Sequence, residues 1–270
     1  MSRLSRSLNG AILALVSLIG LVAFVYPFVR PVDSSGSGPN TMAHAQDAPL
    51  MFAALIVLCL AAVLGNLLSH GLNARMVAAL GVLTAANAVL RAVPGPVGFS
   101  AMQILPILCG YVYGPLFGYL LGALSMAVSA LLGAGIGPWL PYQMFTLGWI
   151  GLTSAWLPHL PHRPWLERAI LALWSIFWGF AFGAVMNAWF WPFVYDPGQS
   201  GIYWQSGIGA VEGIKRYAAF YALTSSWWDA GRAAGNALLI VLFGRPVLRL
   251  LRRFARRFTF ESYTEESSRA

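Results

Sequence analysis

The chain has 270 residues, of which 58% are hydrophobic and only 10% are charged, which excludes a water-soluble globular protein. A formal net charge of +8 would favour nucleic-acid binding in a soluble protein, but in a membrane protein Lys and Arg mark the cytoplasmic side. We therefore predict a multi-pass protein of the cell membrane, with the lipid bilayer and no nucleic acid as its partner.

Apolar stretches recur along the chain, and we predict eight membrane helices. About 20 apolar residues suffice to cross the hydrocarbon core of a bilayer. The stretch 100–113 is shorter, about 21 Å as a helix, and Gly114-Pro115 separates it from the next. The predicted helices are 9–29, 50–68, 75–93, 100–113, 116–132, 139–157, 166–190 and 215–243.

The connecting segments predict the topology. Residues 30–49 are rich in Ser, Gly and Pro and indicate a flexible external loop, and residues 191–213 form a second, aromatic one. The arginine-rich tail from Arg245 is typical of a segment that lies against anionic headgroups. Eight helices place both termini and most Lys and Arg in the cytoplasm, whereas a seven-helix alternative would put the tail outside.

Small residues line one face of the third helix. Residues three and four apart share a helix face, and small side chains at that spacing allow close helix association in lipid. This spacing alone leaves two interpretations open, packing within the chain and docking of another protein. The stripe consists of Ala74, Ala78, Gly81, Ala85, Ala88 and Ala92.

The sequence lacks the motifs of several enzyme classes. It has no phosphate-binding G-x-x-x-x-G-K-[ST] loop, no H-E-x-x-H motif and no Cys/His metal spacing. We expect no catalytic residues, no metal site and no cofactor, and hence no enzyme. The histidines lie in predicted loops, where solvated side chains are expected: His44, His70, His159 and His162.

Polar residues inside the predicted spans are costly in lipid and therefore mark a cavity or a partner. Gln103, Gln143 and Asn187 are amides in three different spans, which suit a polar neutral ligand, although interhelical hydrogen bonds explain them equally well. Asp229 and Arg232, three residues apart, predict a structural ion pair, with direct ligand contact as the alternative.

Aromatic residues cluster near the predicted external surface. Trp139 and Tyr142 follow the glycine-rich turn 133–138, and Trp191 begins the last external loop. An aromatic belt at the membrane interface explains such residues, and an outward-facing pocket that stacks on a flat ligand is the alternative.

Four segments resemble the substrate-binding S component of energy-coupling factor (ECF) vitamin transporters. They are the small-residue helix and the stretches ILCGYVYGPLFGYLLGALSMAVSALL, GIGPWLPYQMFTLGWIG and WDAGRAAGNA. The resemblance implies an all-α, six-helix S-component core with cytoplasmic termini. We accordingly divide the chain into two extra helices (1–69), the core (70–244) and a basic tail (245–270).

The resemblance also implies partners and site residues. In this family the first core helix docks on a transmembrane T component driven by two ABC ATPase subunits, which favours docking by Ala78, Gly81, Ala85 and Ala88. The ligand lies on the extracellular side between the later helices. With the amides and aromatics above, the predicted substrate residues are Gln103, Trp139, Tyr142, Gln143, Asn187, Trp191 and Asp229.

The GPWLPYQM and WDAGRA segments most resemble the family group assigned to cobalamin. We predict that the protein captures a vitamin, with cobalamin first among them, and delivers it by docking on the T component. The alternatives are another vitamin or small precursor, a free-standing membrane binding or scaffold protein, and a proton-coupled transporter using Asp229 and Arg232.

Overall fold

A computed structural model describes residues 3–29, 43–68, 74–92 and 95–258, and this part of the chain is helical without strands. Short 3₁₀ turns at Ala101–Gln103, Trp191–Phe193 and Pro197–Ile202 and a π-helical turn at Ala130–Ala134 join or extend the helices. The α-helices are α1 Arg3–Val29, α2 Ala48–Leu68, α3 Ala74–Ala92, α4 Ile104–Tyr113, α5 Pro115–Ser129, α6 Leu140–Ser154, α7 Pro164–Phe190, α8 Ala210–Thr224 and α9 Ser226–Phe258.

The predicted all-α membrane class is confirmed. Within the described residues, six helices are long and apolar enough to cross a membrane: α1, α2, α3, α5 with its π-helical turn, α7 and α9. The predicted short helix is α4, and it is enclosed by the neighbouring helices, with Ile107, Leu108 and Cys109 fully buried. Because protein rather than lipid surrounds α4, this helix does not need the length of a membrane-spanning helix.

Glycines allow α4, α5 and α6 to approach at backbone distance. A side chain at Gly110 or Gly118 would overlap the carbonyl group of Gly151 on α6, and one at Gly122 would overlap the carbonyl of Leu147. Such close contact between backbones stabilises helix pairs in membranes, where apolar burial supplies no driving force. These three helices form the centre of the bundle.

The two N-terminal helices form a hairpin that packs on α6. Asn66 of α2 donates a hydrogen bond of 2.5 Å to Asn9 of α1, which joins the two helices. Trp149 of α6 donates to the hydroxyl of Ser17, and its ring lies against Gly20 of α1. The hairpin is therefore fixed to the core by direct contacts. Residues 30–42 of the predicted loop lie outside the described part.

The predicted last helix, 215–243, is wrong in its bounds. The chain bends at Ser225, so that α8 and α9 are separate helices, and the predicted external loop contains the start of α8. Tyr217 and Tyr221 of α8 donate hydrogen bonds to the carbonyls of Ala184 and Phe180 on α7. These bonds hold α8 against the C-terminal half of α7, and α9 then crosses the bundle and continues into the arginine-rich segment as far as Phe258. Residues 259–270 of the predicted tail lie outside the described part.

The two ends of the bundle differ in character. At one end, which we call the arginine end, Arg252 of α9 forms an ion pair with the buried Glu167 of α7, and the hydroxyl of Tyr111 donates to the same carboxylate. His159 stacks on Tyr111 with ring centroids 4.3 Å apart. The turn 95–100, the π-helical turn of α5 and the start of α6 lie at the opposite end.

Candidate functional site

A cavity of about 490 Å³ lies at the end of the bundle opposite the arginine end, which we call the cavity end. It is bounded by the last turn of α3, the turn 95–100, the π-helical turn after α5, the first turn of α6, and α7 and α9. Gly133 and Gly135 have φ of 104° and 92°, a left-handed conformation that glycine adopts without strain, and they turn the chain over the cavity. The side chains that line it include Arg91, Ser100, Met102, Gln143, Phe182 and Arg232.

Arg91 on the last turn of α3 is held by two neighbouring helices. Its guanidinium donates hydrogen bonds of 2.7 Å to the hydroxyl of Ser129 on α5 and of 2.9 Å to the Oε1 atom of Gln143 on α6. One turn deeper, Asn87 donates to Ser125 in the same way. The polar edge of α3 therefore faces the core, and it ends in a half-buried cation at the cavity wall.

Arg232 on α9 lines the opposite wall and is neutralised by Asp229. The guanidinium donates to the buried Asp229 carboxylate and lies over the ring of Phe182, 5.0 Å from its centroid. Asp229 packs against Gly183 of α7, where any side chain would overlap the carboxylate. The predicted pair thus exists in the first two turns of α9, and its cation lines the cavity.

The predicted amides do not share one site. Gln143 lines the cavity, whereas Gln103 is fully buried beside it and donates to the carbonyl of Trp178. Its backbone N–H donates to Asn236 of α9, so Gln103 joins three helices. Asn187 is half-buried on α7 away from the cavity lining.

The predicted aromatic residues also lie apart from the cavity lining. Tyr142 is fully buried against Phe24 of α1 in an edge-to-face pair at 5.0 Å, and Trp191 packs against Phe28 of α1. Trp139 is half-buried, and its indole covers Gly137. The N-terminal hairpin therefore covers the wall that we expected Tyr142 and Trp191 to offer to a ligand.

Sequence reasoning missed Arg91 as a site residue. The available signal was an arginine at the external end of a predicted span, against the preference of Lys and Arg for the cytoplasmic side. Its contacts with Ser129 and Gln143 join residues 38 and 52 positions away, which no local pattern reveals.

The small-residue stripe of α3 is divided by the structure. Ala78, Gly81 and Ala85 are exposed, and no atom lies within 4 Å of a side chain placed at Gly81. Ala88 is fully buried inside the chain and is absent from this outer face. We call the exposed set of Ala78, Gly81 and Ala85 the small-residue face, and nothing in the described part of the chain covers it.

The described residues contain no group of three or more His, Cys, Asp or Glu side chains placed to hold a metal ion. Cys59 and Cys109 are both free and buried, in agreement with the packing role that their apolar surroundings indicate.

Residues 75–244 match the family described as ECF transporter, substrate-specific component. The chain belongs to this family. The match begins at α3 and ends within α9, so it contains the cavity and the small-residue face and leaves α1 and α2 outside. Neither a curated protein nor a solved structure matches the chain.

In this S component, the turn between the two extra helices inserts His44 into the core. We expected a solvated histidine, but His44 is buried, with its ring 4.5 Å from that of Tyr142, 4.6 Å from Phe193 and stacked 5.7 Å from Trp189. The hydroxyl of Tyr142 donates to Asp47 at 2.6 Å, and His44 Nδ1 lies 2.8 Å from the same carboxylate. This His44 cluster anchors the hairpin at the cavity end.

The His44 cluster predicts a pH dependence of stability. Burial opposes ionisation of Asp47, but the hydrogen bonds from His44 and Tyr142 outweigh it and hold its pKa below the usual value. A lowered pKa stabilises the folded state at neutral pH, and this contribution disappears as the pH falls below about 4. We expect Asp47→Asn to lower the stability by about 1–2 kcal/mol at pH 7, measured by thermal unfolding in detergent.

The difference between Asp47→Asn and wild type should shrink as the pH falls toward 3. Asp196, exposed in the segment between α7 and α8, offers a matched control, and we expect Asp196→Asn to have a smaller effect at pH 7. A difference between Asp47→Asn and wild type that stays constant from pH 7 to pH 3 would contradict the assignment.

Proposed function

We propose that this protein is the substrate-specific component of an ECF-type importer that captures a vitamin from outside the cell in the cavity. The main support is a cavity of about 490 Å³, which is within the size range of sites for small organic ligands. The helices that form it belong to residues 75–244, the segment that matches the family. Gln143 and Arg91 supply polar contacts at one wall and Phe182 supplies an apolar one.

The distribution of arginines supports an external cavity. The arginine end carries Arg163, Arg168, Arg245, Arg249, Arg252, Arg253 and Arg256. Because Lys and Arg favour the cytoplasmic side, this end faces the cytoplasm and the cavity faces outward. Both termini then lie in the cytoplasm, since an even number of spans connects them.

Cobalamin is the vitamin we propose first, because of the GPWLPYQM and WDAGRA segments. The GPWLPYQM segment contains Gln143 and the WDAGRA segment contains Arg232, and both residues line the cavity. The volume of the cavity suits a drug-sized molecule, so it would hold one part of a corrinoid while the remainder stays outside it.

Transport requires partners, since the ATPase motifs are missing from this chain. We propose that the small-residue face docks on the T component, which two ABC ATPases drive, and that the loaded S component reorients in the membrane. The exposure of Ala78, Gly81 and Ala85 on one face of α3 supports this role. Ala88 is left out of the docking surface because it is buried.

Ligand binding by the purified chain tests the proposal. Cyanocobalamin, riboflavin, thiamine, biotin and folate are compared by equilibrium dialysis in detergent, and we expect saturable binding of one of them. Ala134→Trp places a large ring in the cavity and should reduce that binding at least about fivefold, since overpacking costs about 1–3 kcal/mol.

Leu131→Trp is the matched control, because Leu131 belongs to the same π-helical turn but is 78% exposed and points away from the cavity. We expect this variant to bind like wild type. If no vitamin binds to wild type, the substrate-capture proposal fails; if both variants bind equally well, the ligand lies elsewhere.

A further inference from the structure

We infer that the substrate carries an anionic group, a carboxylate or a phosphate, and that this group binds to Arg91 in the cavity. The inference rests on the proposed function and specifies the chemical class of the substrate. It starts from the charges of the cavity wall, where two arginines, Arg91 and Arg232, face a common space.

Of these two cations, only Arg232 is neutralised by a carboxylate of the described residues. Asp229 forms an ion pair with Arg232, whereas no carboxylate of the described residues forms one with Arg91. The other acidic side chains in the described part of the chain have partners elsewhere: Asp47 in the His44 cluster, Glu167 with Arg252, Glu212 with Arg216, and Asp196 with the backbone of Gly198. Among the described residues, the cavity therefore carries one positive charge that no carboxylate compensates.

The uncompensated charge is held in a fixed orientation. Ser129 and Gln143 accept hydrogen bonds from the two terminal nitrogens of Arg91 and so fix its guanidinium from two different helices. Both acceptors are neutral, and a guanidinium has five N–H donors, so donors remain for a ligand. A planar group with free donors in a fixed position suits bidentate binding of a carboxylate or phosphate.

This arrangement has an energetic explanation, because removing the Arg91 cation from water costs free energy. A half-buried arginine at a membrane span is unfavourable unless an opposite charge offsets its desolvation. Neutral amide and hydroxyl acceptors compensate only part of that cost. An anionic ligand completes the compensation, and it gains a charge-assisted interaction that a neutral analogue of the same shape lacks.

Pairs of probes that differ in the anionic group test the inference. Biotin is compared with biotinamide, riboflavin 5′-phosphate with riboflavin, and cyanocobalamin with cobinamide. Cobinamide lacks the phosphate together with the rest of the nucleotide, so for this pair the Arg91 variants decide whether the phosphate causes the difference. For the pair that binds, we expect the anionic member to bind about 10- to 100-fold more tightly to wild type. The identity of that pair distinguishes a phosphate from a carboxylate.

Variants of Arg91 test whether this residue causes the tighter binding of the anionic probe. Arg91→Gln should abolish the advantage of the anionic member, and Arg91→Lys, which keeps the charge but loses the planar fork, should keep part of it. Arg216→Gln is the matched control, since Arg216 lies on α8 outside the cavity lining and pairs with Glu212. It should leave the advantage unchanged.

The outcomes separate the inference from the proposed function. Equal affinity for both members of the binding pair overturns the anionic substrate and leaves substrate capture intact. An advantage that survives in Arg91→Gln overturns the assignment to Arg91. Binding of no probe in either form, and of neither thiamine nor folate, overturns both proposals, whereas binding of thiamine, which has no anionic group, overturns the anionic substrate alone. If Arg91→Gln fails to fold, the wild-type comparison still decides whether the substrate is anionic.

Discussion

Substitution of Ala85 by tryptophan should stop vitamin uptake by cells and leave binding of the vitamin to the purified chain unchanged. Ala85 is exposed on the small-residue face, far along α3 from the arginine end, and the described chain leaves this face open. In the proposed complex a large ring there would separate two closely approaching helix backbones, and overpacking of about 1–3 kcal/mol would reduce uptake at least about fivefold. The measurement is uptake of labelled vitamin in cells that also express the T component and the ATPases.

Leu173→Trp on α7 serves as the matched control for Ala85→Trp. Leu173 is 65% exposed on the outer surface of the bundle but lies on a different helix from the small-residue face. Uptake should survive in this variant, and co-purification of the T component should be lost only in Ala85→Trp. Normal uptake in Ala85→Trp would show that α3 does not dock on a partner through this face.

Replacement of Gly118 by valine should greatly reduce the yield of folded protein. A side chain at Gly118 would overlap the backbone of Gly151 on α6 and of Gly110 on α4, and backbone atoms cannot move aside as a flexible side chain can. We expect a destabilisation of about 3 kcal/mol or more, which corresponds to a decrease in Tm of about 6–12 °C. Thermal unfolding in detergent, monitored by size-exclusion chromatography, measures it.

Gly10→Val on α1 is the control for Gly118→Val, because no atom lies within 4 Å of a side chain placed at Gly10. Its Tm should stay within a few degrees of wild type. Equal Tm values for the two variants would mean that α4, α5 and α6 do not pack through their glycines.

The helical architecture was largely predictable from the sequence. Hydropathy and breaking residues depend on neighbouring positions alone, so the membrane helices and the short α4 could be located before any contact was known. The bend at Ser225 was missed because Tyr217 and Tyr221 of α8 are held by carbonyls of α7, and such bonds join distant parts of the chain. The continuation of α9 to Phe258 was missed with it.

The candidate site was predictable only in part. Gln143 and Arg232 line the cavity, and both were singled out as polar residues within apolar spans. The side chains of Tyr142 and Trp191 were assigned to a ligand wall, but the N-terminal hairpin covers them through Phe24 and Phe28. A cluster of aromatic residues in the sequence indicates a surface that contacts lipid or a ligand. It does not reveal that another part of the same chain covers that surface.

The sequence by itself determined the membrane class, the approximate helices and the presence of small residues along α3, because helix length, hydropathy and residue size are local properties. Only the tertiary structure decided which of these residues face each other. The rotation of α3 buries Ala88, exposes Gly81 and Ala85, and directs Arg91 toward Ser129 and Gln143. Helix rotation results from packing against distant helices, so the cavity and the position of Arg91 in its wall emerge only when the bundle is assembled.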